Sequence, residues 1–519
     1  QSRASTGVRA KIDDALDRFR TGMQDRYLPL LRVQQRVESA TGKPLPLGAN
    51  PYLREELMTG RVGYQLERFS DKMIDPLFTA LHQSGVTPEE LETFLYARHA
   101  PERNAQIAKI NPAMPDGGSG MSDIEAAAIM NRVKRSGRMD KLEALASMVD
   151  EINQFALKTR IDAGLLSPDE AEAWQNTYEH YVPLRGRQEV EGDISGIEAR
   201  VNRSGSGVTV KGKESKRAYG RRSQADNILA YTLLQAEEAI VRAETNRVAQ
   251  SFVNLAQRSP DPEYWEVNKV TRKAVMDSTT GLVRYENQSR VQMEDKDYTV
   301  TAKVNGEEIR VTMNRYNPSA RRLADSMRNL TQHQVDWFVQ IFGIPSRFLS
   351  AVNTSWNPEF IITNAFRDIQ SAALNIAGLE KDKLLKGTMR DYRKALVAAT
   401  KGEFGKGSGE WSRWYHEFKA EGGATYFNKV DNLDDLKKRI SNSMTKAEGR
   451  LSVKRGFLAV RDTVEALNGG VENAVRLSVY KNARELGMAK SEAASIAKNV
   501  TVNFNRRGQF GPLMNEIGR

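Results

Sequence analysis

The chain has no cysteine, only five histidines and no long uncharged apolar run. Without cysteine there is no disulfide framework, no thiolate zinc site and no thiol nucleophile. A thiol-free chain also crosses between reducing and oxidising compartments without cross-linking, which suits an exported or ejected protein; absence by chance is the other reading. The histidines (His82, His99, His180, His333 and His416) are scattered, no pair sits at i, i+4 on a helix, and no HExxH motif occurs. They read as surface or satisfied core residues, so no metal and no cofactor is expected. No stretch reaches the roughly 18 uncharged apolar residues of a membrane span. The nearest, Trp337 to Pro358, is interrupted by Pro345 and Arg347. It reads as a buried amphipathic helix pair, with peripheral contact to a membrane surface as the alternative. Gln1-Ser2-Arg3 shows neither an initiator Met nor a signal peptide, and Met514 to Arg519 stop without a closing element. Both ends are expected to be cuts from a longer polypeptide.

What is present is a large, charged, periodic chain. Its 519 residues predict two to four packed units at roughly 100–200 residues each. With 39% hydrophobic and 28% charged residues it is too apolar, and too periodic, to be disordered. Lys and Arg outnumber Asp and Glu by 77 to 66, a net charge of +11. Both signs are mixed along almost every helix, which describes a solvated surface; the excess also fits an acidic partner, either nucleic acid or an anionic membrane face.

Helix starts and stops are legible. Thr87-Pro88-Glu89-Glu90, Ser122-Asp123-Ile124-Glu125 and Ser167-Pro168-Asp169-Glu170 have the form of capping boxes, in which hydroxyl and carboxylate satisfy each other's orphan amides. Asn50-Pro51 and Asn357-Pro358 open helices in the same manner, while Gly137 and Gly164 close them. Residues 1–189 are therefore a helical region. Residues 190–222 form a basic, Gly-rich loop, expected to be flexible and exposed. A long helix follows within 223–260, with Leu229, Leu233, Ala236, Ile240, Ala243, Val248, Phe252 and Leu255 along one face. At about 1.5 Å per residue it spans about 50 Å and reads as a strut or coiled-coil partner. Residues 261–316 are a small β module, with a tight hairpin at Asn305-Gly306. Residues 317–519 return to helix, jointed at Gly402 to Gly409 and at Gly422-Gly423. The expected fold is mainly α: an elongated multi-helix assembly with a small inserted antiparallel β module.

Catalytic constellations fail on physical grounds. Gly207 to Lys213 approximates a phosphate loop, but Glu214 stands where a Ser or Thr would bind magnesium, and its carboxylate would repel phosphate. Asp431, Asp434 and Asp435 sit at a predicted helix start and complement its dipole. No GxSxG elbow occurs. Cations are the better lead: Lys211, Lys213, Lys216, Arg217, Arg221 and Arg222 crowd one loop, and Arg506-Arg507 lie beside Phe504 and Phe510. Such residues contact phosphates and stack bases, although each group also reads as a solvated loop or helix end.

Four segments carry a family resemblance. They are Ala163-Gly164-Leu165-Leu166-Ser167 leading to Tyr181-Val182-Pro183-Leu184-Arg185; Gly220-Arg221-Arg222-Ser223 running into Glu237-Glu238-Ala239-Ile240; Asn357-Pro358-Glu359-Phe360-Ile361-Ile362-Thr363-Asn364 with Arg367-Asp368; and Val471-Glu472-Asn473-Ala474-Val475-Arg476-Leu477 with Val502-Asn503-Phe504-Asn505-Arg506-Arg507-Gly508. In this order they resemble the large polyvalent-protein-associated domain, found in very long proteins of phages and mobile elements. The third and fourth segments are the most specific. The resemblance implies a non-enzymatic internal virion, or ejection, protein of a short-tailed phage, released with the genome and helping to line a conduit across the host envelope. It implies a homo-oligomer that meets other virion proteins, double-stranded DNA and the face of the host inner membrane. Its location would be the virion interior, then the host periplasm or cytoplasm. The alternative is a polyvalent accessory protein delivered into the host to bind DNA or counter host defence. The family supplies no catalytic residues.

Overall fold

The computed structural model describes residues 27–185, 208–210, 214, 220–270, 272–276, 283–287, 293–327, 382–403, 407–424, 440, 470–471 and 473–500. Its helices begin where cap chemistry allows. Ser122 and Ser167 each close a full capping box, at the helices Asp123–Arg135 and Pro168–Thr177. Thr87 completes only half of one: its hydroxyl accepts from the Glu90 amide, but the Glu90 carboxylate turns away to bind Arg138. An ion pair between two helices has displaced the reciprocal cap bond. The Asn50 side chain accepts from the Leu53 amide at 2.9 Å, with Pro51 as the first residue of the helix Pro51–Phe69.

The predicted long helix, Ile228–Arg258, is not an exposed strut. The anticipated face is buried, but so are Leu234, Val241, Ala249, Val253 and Ala256 on its other sides. The helices Pro51–Phe69 and Met139–Asp162 pack on it, together with the β module. A helix of about 46 Å is thus the axis of one hydrophobic core, which takes in residues from Tyr27 to Met327 together with Ile440.

The β module is as anticipated in kind. β1 (Trp265–Lys269), β5 (Glu307–Met313) and β4 (Thr299–Val304) form an antiparallel sheet in the order β1-β5-β4, and β2 (Arg272–Met276) pairs with β3 (Val283–Asn287). Asn305 and Gly306 have φ of 49° and 79°, the left-handed pair that a two-residue hairpin turn requires. Val300 faces Val311 across the strands, both buried. Asn246 of the central helix docks this hairpin. Its Nδ2 donates to the carbonyls of Ala163 and Lys303, both at 2.8 Å, and its Oδ1 accepts from the Lys303 amide at 2.8 Å. Gly306 also donates its amide to the Gly164 carbonyl.

The expected exposed loop enters the interior at Val208, Val210 and Glu214, while Arg222 at its end is exposed. Val208 and Val210 are 0% and 2% exposed, and their amides donate to the carbonyls of Met327 and Thr301. The Glu214 side chain is 4% exposed and lies against Arg242, Lys303 and Arg160. The backbone finds partners in β4 and at the end of the helix Pro318–Met327, and Glu214 finds three cations. These contacts outweigh the flexibility that the surrounding glycines suggest.

A second core joins the helices Asp382–Glu403, Glu410–Ala420, 473–485 and Lys490–Val500 around Leu384, Tyr415, Phe418, Tyr480 and a set of alanines. It meets the first along the helix Pro51–Phe69, whose Leu57 belongs to this second core while Met58 and Val62 belong to the first. The seam is polar: Arg61 pairs with Glu421 at 3.0 Å and Lys419 with Glu67 at 2.7 Å. The Glu56 carboxylate accepts from Ser495 Oγ at 2.6 Å and Asn499 Nδ2 at 2.7 Å. Backbone approaches so closely here that a Cβ on Gly60 would lie 2.2 Å from the Gly422 carbonyl oxygen. Among the described residues no helix is long and apolar enough to cross a membrane. Trp337 to Pro358, and the helix expected at Asn357-Pro358, lie outside the described residues.

Candidate functional site: a basic groove

Of the expected cation sites, Lys211, Lys213, Lys216, Arg217, Arg506 and Arg507 lie outside the described residues. Arg221 is held in place: its amide donates to the Gly118 carbonyl, and its Nη2 donates to Ser223 Oγ at 3.0 Å and to the Gln224 carbonyl at 3.2 Å. Arg222 is exposed. The two adjacent arginines therefore differ, one folded into its own loop and one presented to solvent. The acid that spoiled the phosphate-loop pattern has a structural task. Burial alone would raise the Glu214 carboxyl, but Arg242 and Lys303 hold it below its ordinary value.

A different basic surface stands on the helix Asp382–Glu403. Leu384, Ala395, Ala398 and Ala399 face the second core, which turns Lys383, Lys386, Arg390, Arg393, Lys394 and Lys401 outward. Between them Met389 and Val397 are 41% and 54% exposed. One acid of this helix reaches that face, at Arg390, but none pairs with Arg393, Lys394 or Lys401 among the described residues. Asp391 points inward, where Arg390, Lys481 Nζ and Asn482 Nδ2 each lie 3.1 Å from it. The Arg390 hydrogen bond foremost, with help from Lys481 and Asn482, holds its carboxyl down at about 2 against the opposing effect of burial. Asp382 stands at the far end.

Beside this row lies an open groove of about 490 Å³, lined by Arg393, Lys394, Val397, Lys401, Ser408 and Trp411 among others. Arg393, Lys394 and Lys401 make no ion pair among the described residues. Trp411 forms the facing wall, steadied from behind by Lys481 Nζ at 5.2 Å from its ring centroid. The joint that brings Trp411 across is glycine-dependent: a Cβ on Gly402 would lie 2.4 Å from the Tyr415 ring. Three cations with no ion pair among the described residues, the hydroxyls of Ser408 and Ser412, and the Trp411 wall make a surface suited to a polyanion.

This groove was missed in the sequence, although the signal was there. Lys386, Arg390, Arg393, Val397 and Lys401 repeat at three- and four-residue steps, but the nearby Asp382 and Asp391 made the helix look evenly charged. Among the histidines, His99 is a satisfied core residue, with Nδ1 3.4 Å from Glu102; burial pushes its imidazole below the usual value. One group with metal-ligand chemistry is brought together among the described residues, Glu102, Glu179 and His180.

No protein-family model matches the chain, and no curated protein or solved structure is similar to it.

Proposed function

We propose that this chain is a non-enzymatic helical module of a phage internal virion protein, and that the groove beside Trp411 is where it holds double-stranded DNA. The phage assignment rests on the resemblance of its four segments to the large polyvalent-protein-associated domain. DNA contact is supported by one observation above all: Arg393, Lys394 and Lys401 line a concave surface with no acid partner among the described residues. Duplex DNA carries about one charge per 1.7 Å of axis, so a row of cations along one helix displaces several counterions at once. The module would travel with the genome and, as a homo-oligomer with other virion proteins, help to line a conduit across the host envelope. Delivery into the host as a DNA-binding accessory uses the same groove and is the second reading.

Fluorescence anisotropy with a labelled duplex over a salt series tests the DNA contact. The wild-type chain should bind with a steep salt dependence, and R393Q/K394Q/K401Q should lower the slope of log K against log salt by about 2–3. Binding whose affinity and salt slope are unchanged in the triple variant would overturn it. Electron microscopy of the parent assembly separates the readings, since a ring or tube is expected for a conduit and dispersed monomers for an accessory.

A further inference from the structure

The helix Pro88–Ile110 runs beneath the segment that leaves the helix Pro168–Thr177. That segment is clamped down by aromatic and polar contacts. The rings of Tyr178 and Tyr181 stand edge-on to buried His99, at 5.2 and 5.7 Å between centroids. Arg103 Nη1 donates to Tyr178 Oη at 2.7 Å, and Asn153 Nδ2 donates to the Tyr181 carbonyl at 2.8 Å. The Glu102 carboxylate is central to the arrangement. Its Oε2 faces His99 Nδ1 at 3.4 Å and accepts the His180 backbone amide at 3.2 Å. Oε1 has no hydrogen bond among the described residues.

Beside this fixed carboxylate the chain places two further donors of different chemistry. The Glu179 carboxylate and the His180 imidazole each bring one ligand atom, and with one from Glu102 all lie within 4.8 Å of one another. We propose that Glu102, Glu179 and His180 form a divalent-metal site suited to zinc. Two carboxylates and one imidazole balance a divalent charge, and zinc accepts this nitrogen–oxygen set in tetrahedral geometry. At about 2.1 Å from a common ion, ligand atoms stand about 3.4 Å apart, so modest side-chain rotation closes the set. His99 supplies the outer support that such sites use, an imidazole hydrogen-bonded to the ligand that fixes its orientation. Arg103, next to Glu102 in the chain, is a cation whose guanidinium is engaged by Tyr178. Three protein ligands leave a fourth position for water. The ion would fasten the 177–182 segment to the helix below it, independently of any DNA contact.

Isothermal titration of the full chain with zinc chloride, paired with thermal melts, tests the site. The wild type should take up one equivalent and melt at a higher temperature with zinc. Both effects should vanish, or the affinity fall at least tenfold, in E179Q and in H180A. Glu179 is exposed, so E179Q leaves the fold intact and gives a readable negative even where E102Q destabilises. With cobalt as a substitute, visible absorption of tetrahedral intensity should appear in the wild type only. No saturable uptake by the wild type would overturn the proposal. So would a titration unchanged in both variants, which would place the zinc on histidines elsewhere in the chain.

Discussion

The two cores treat charge in opposite ways. In the first, built around the helix Ile228–Arg258, charged groups that enter the interior are matched there: Glu214 by Arg242 and Lys303, and Glu244 by Gln65 and Arg247. In the second, Asp391 is held inside by Lys481 and Asn482, with Arg390 reaching it from the exposed face, which leaves Arg393, Lys394 and Lys401 facing a groove. The same composition of mixed charges thus produces a closed scaffold in one region and a cationic surface in the other. What separates them is the placement of a few carboxylates, not the net charge.

The comparison breaks most sharply at Glu214. E214Q removes the carboxylate that Arg242 and Lys303 share in the interior, so denaturant unfolding should show a loss of about 3–5 kcal/mol. A loss below about 1 kcal/mol would mean the loop is a passive strap. Second in size is the seam. G60A forces a methyl group into the Gly422 backbone, an overpacking worth about 1–3 kcal/mol. Hydrogen exchange should then accelerate in 410–420 and 490–500 while the central helix stays protected. Uniform acceleration would show that the two cores open as one unit. Third, R393Q/K394Q/K401Q should move unfolding stability by no more than about 0.5 kcal/mol, since these side chains are exposed and make no ion pair among the described residues. Together with the lowered DNA salt slope, that result separates a binding surface from a structural one.

How much of this the sequence discloses depends on the range of the interaction. Ser122, Ser167 and Asn50 act on amides three residues away, and Asn305-Gly306 acts on its own turn, so all four were legible. The apolar face of the central helix was legible too. Its opposite faces were not, because Glu237, Glu244 and Asn246 imitate a solvent side until their partners are known. Val208 and Val210 are too short a pattern to predict burial, and the strand that bonds Val210, β4, begins some ninety residues later. The seam is beyond sequence reasoning altogether: Glu56 and Lys498 are 442 positions apart, yet Lys498 Nζ donates to the Glu56 carbonyl at 2.6 Å. The groove failed for a subtler reason, since only tertiary structure says which of two nearby aspartates is consumed.

That last point carries the most specific effect. Asp391 ionises at about 2 in the folded chain, against an ordinary value of 3.8. A depressed carboxyl contributes stability that is full above its unfolded value and is lost as pH falls through the folded one. The contribution of Asp391 should therefore be intact at pH 5 and above, and fade between about pH 4 and pH 2. D391N removes the titration, so the difference in stability between wild type and variant should shrink across that window. The two should differ most near neutral pH, where the variant leaves Lys481 without the carboxylate 3.1 Å away. Local hydrogen exchange in 473–485 reads the second core alone. If protection there has the same acid dependence in D391N and wild type, Asp391 is not what keeps the groove cationic, and the contrast between the two cores must lie in some other acid.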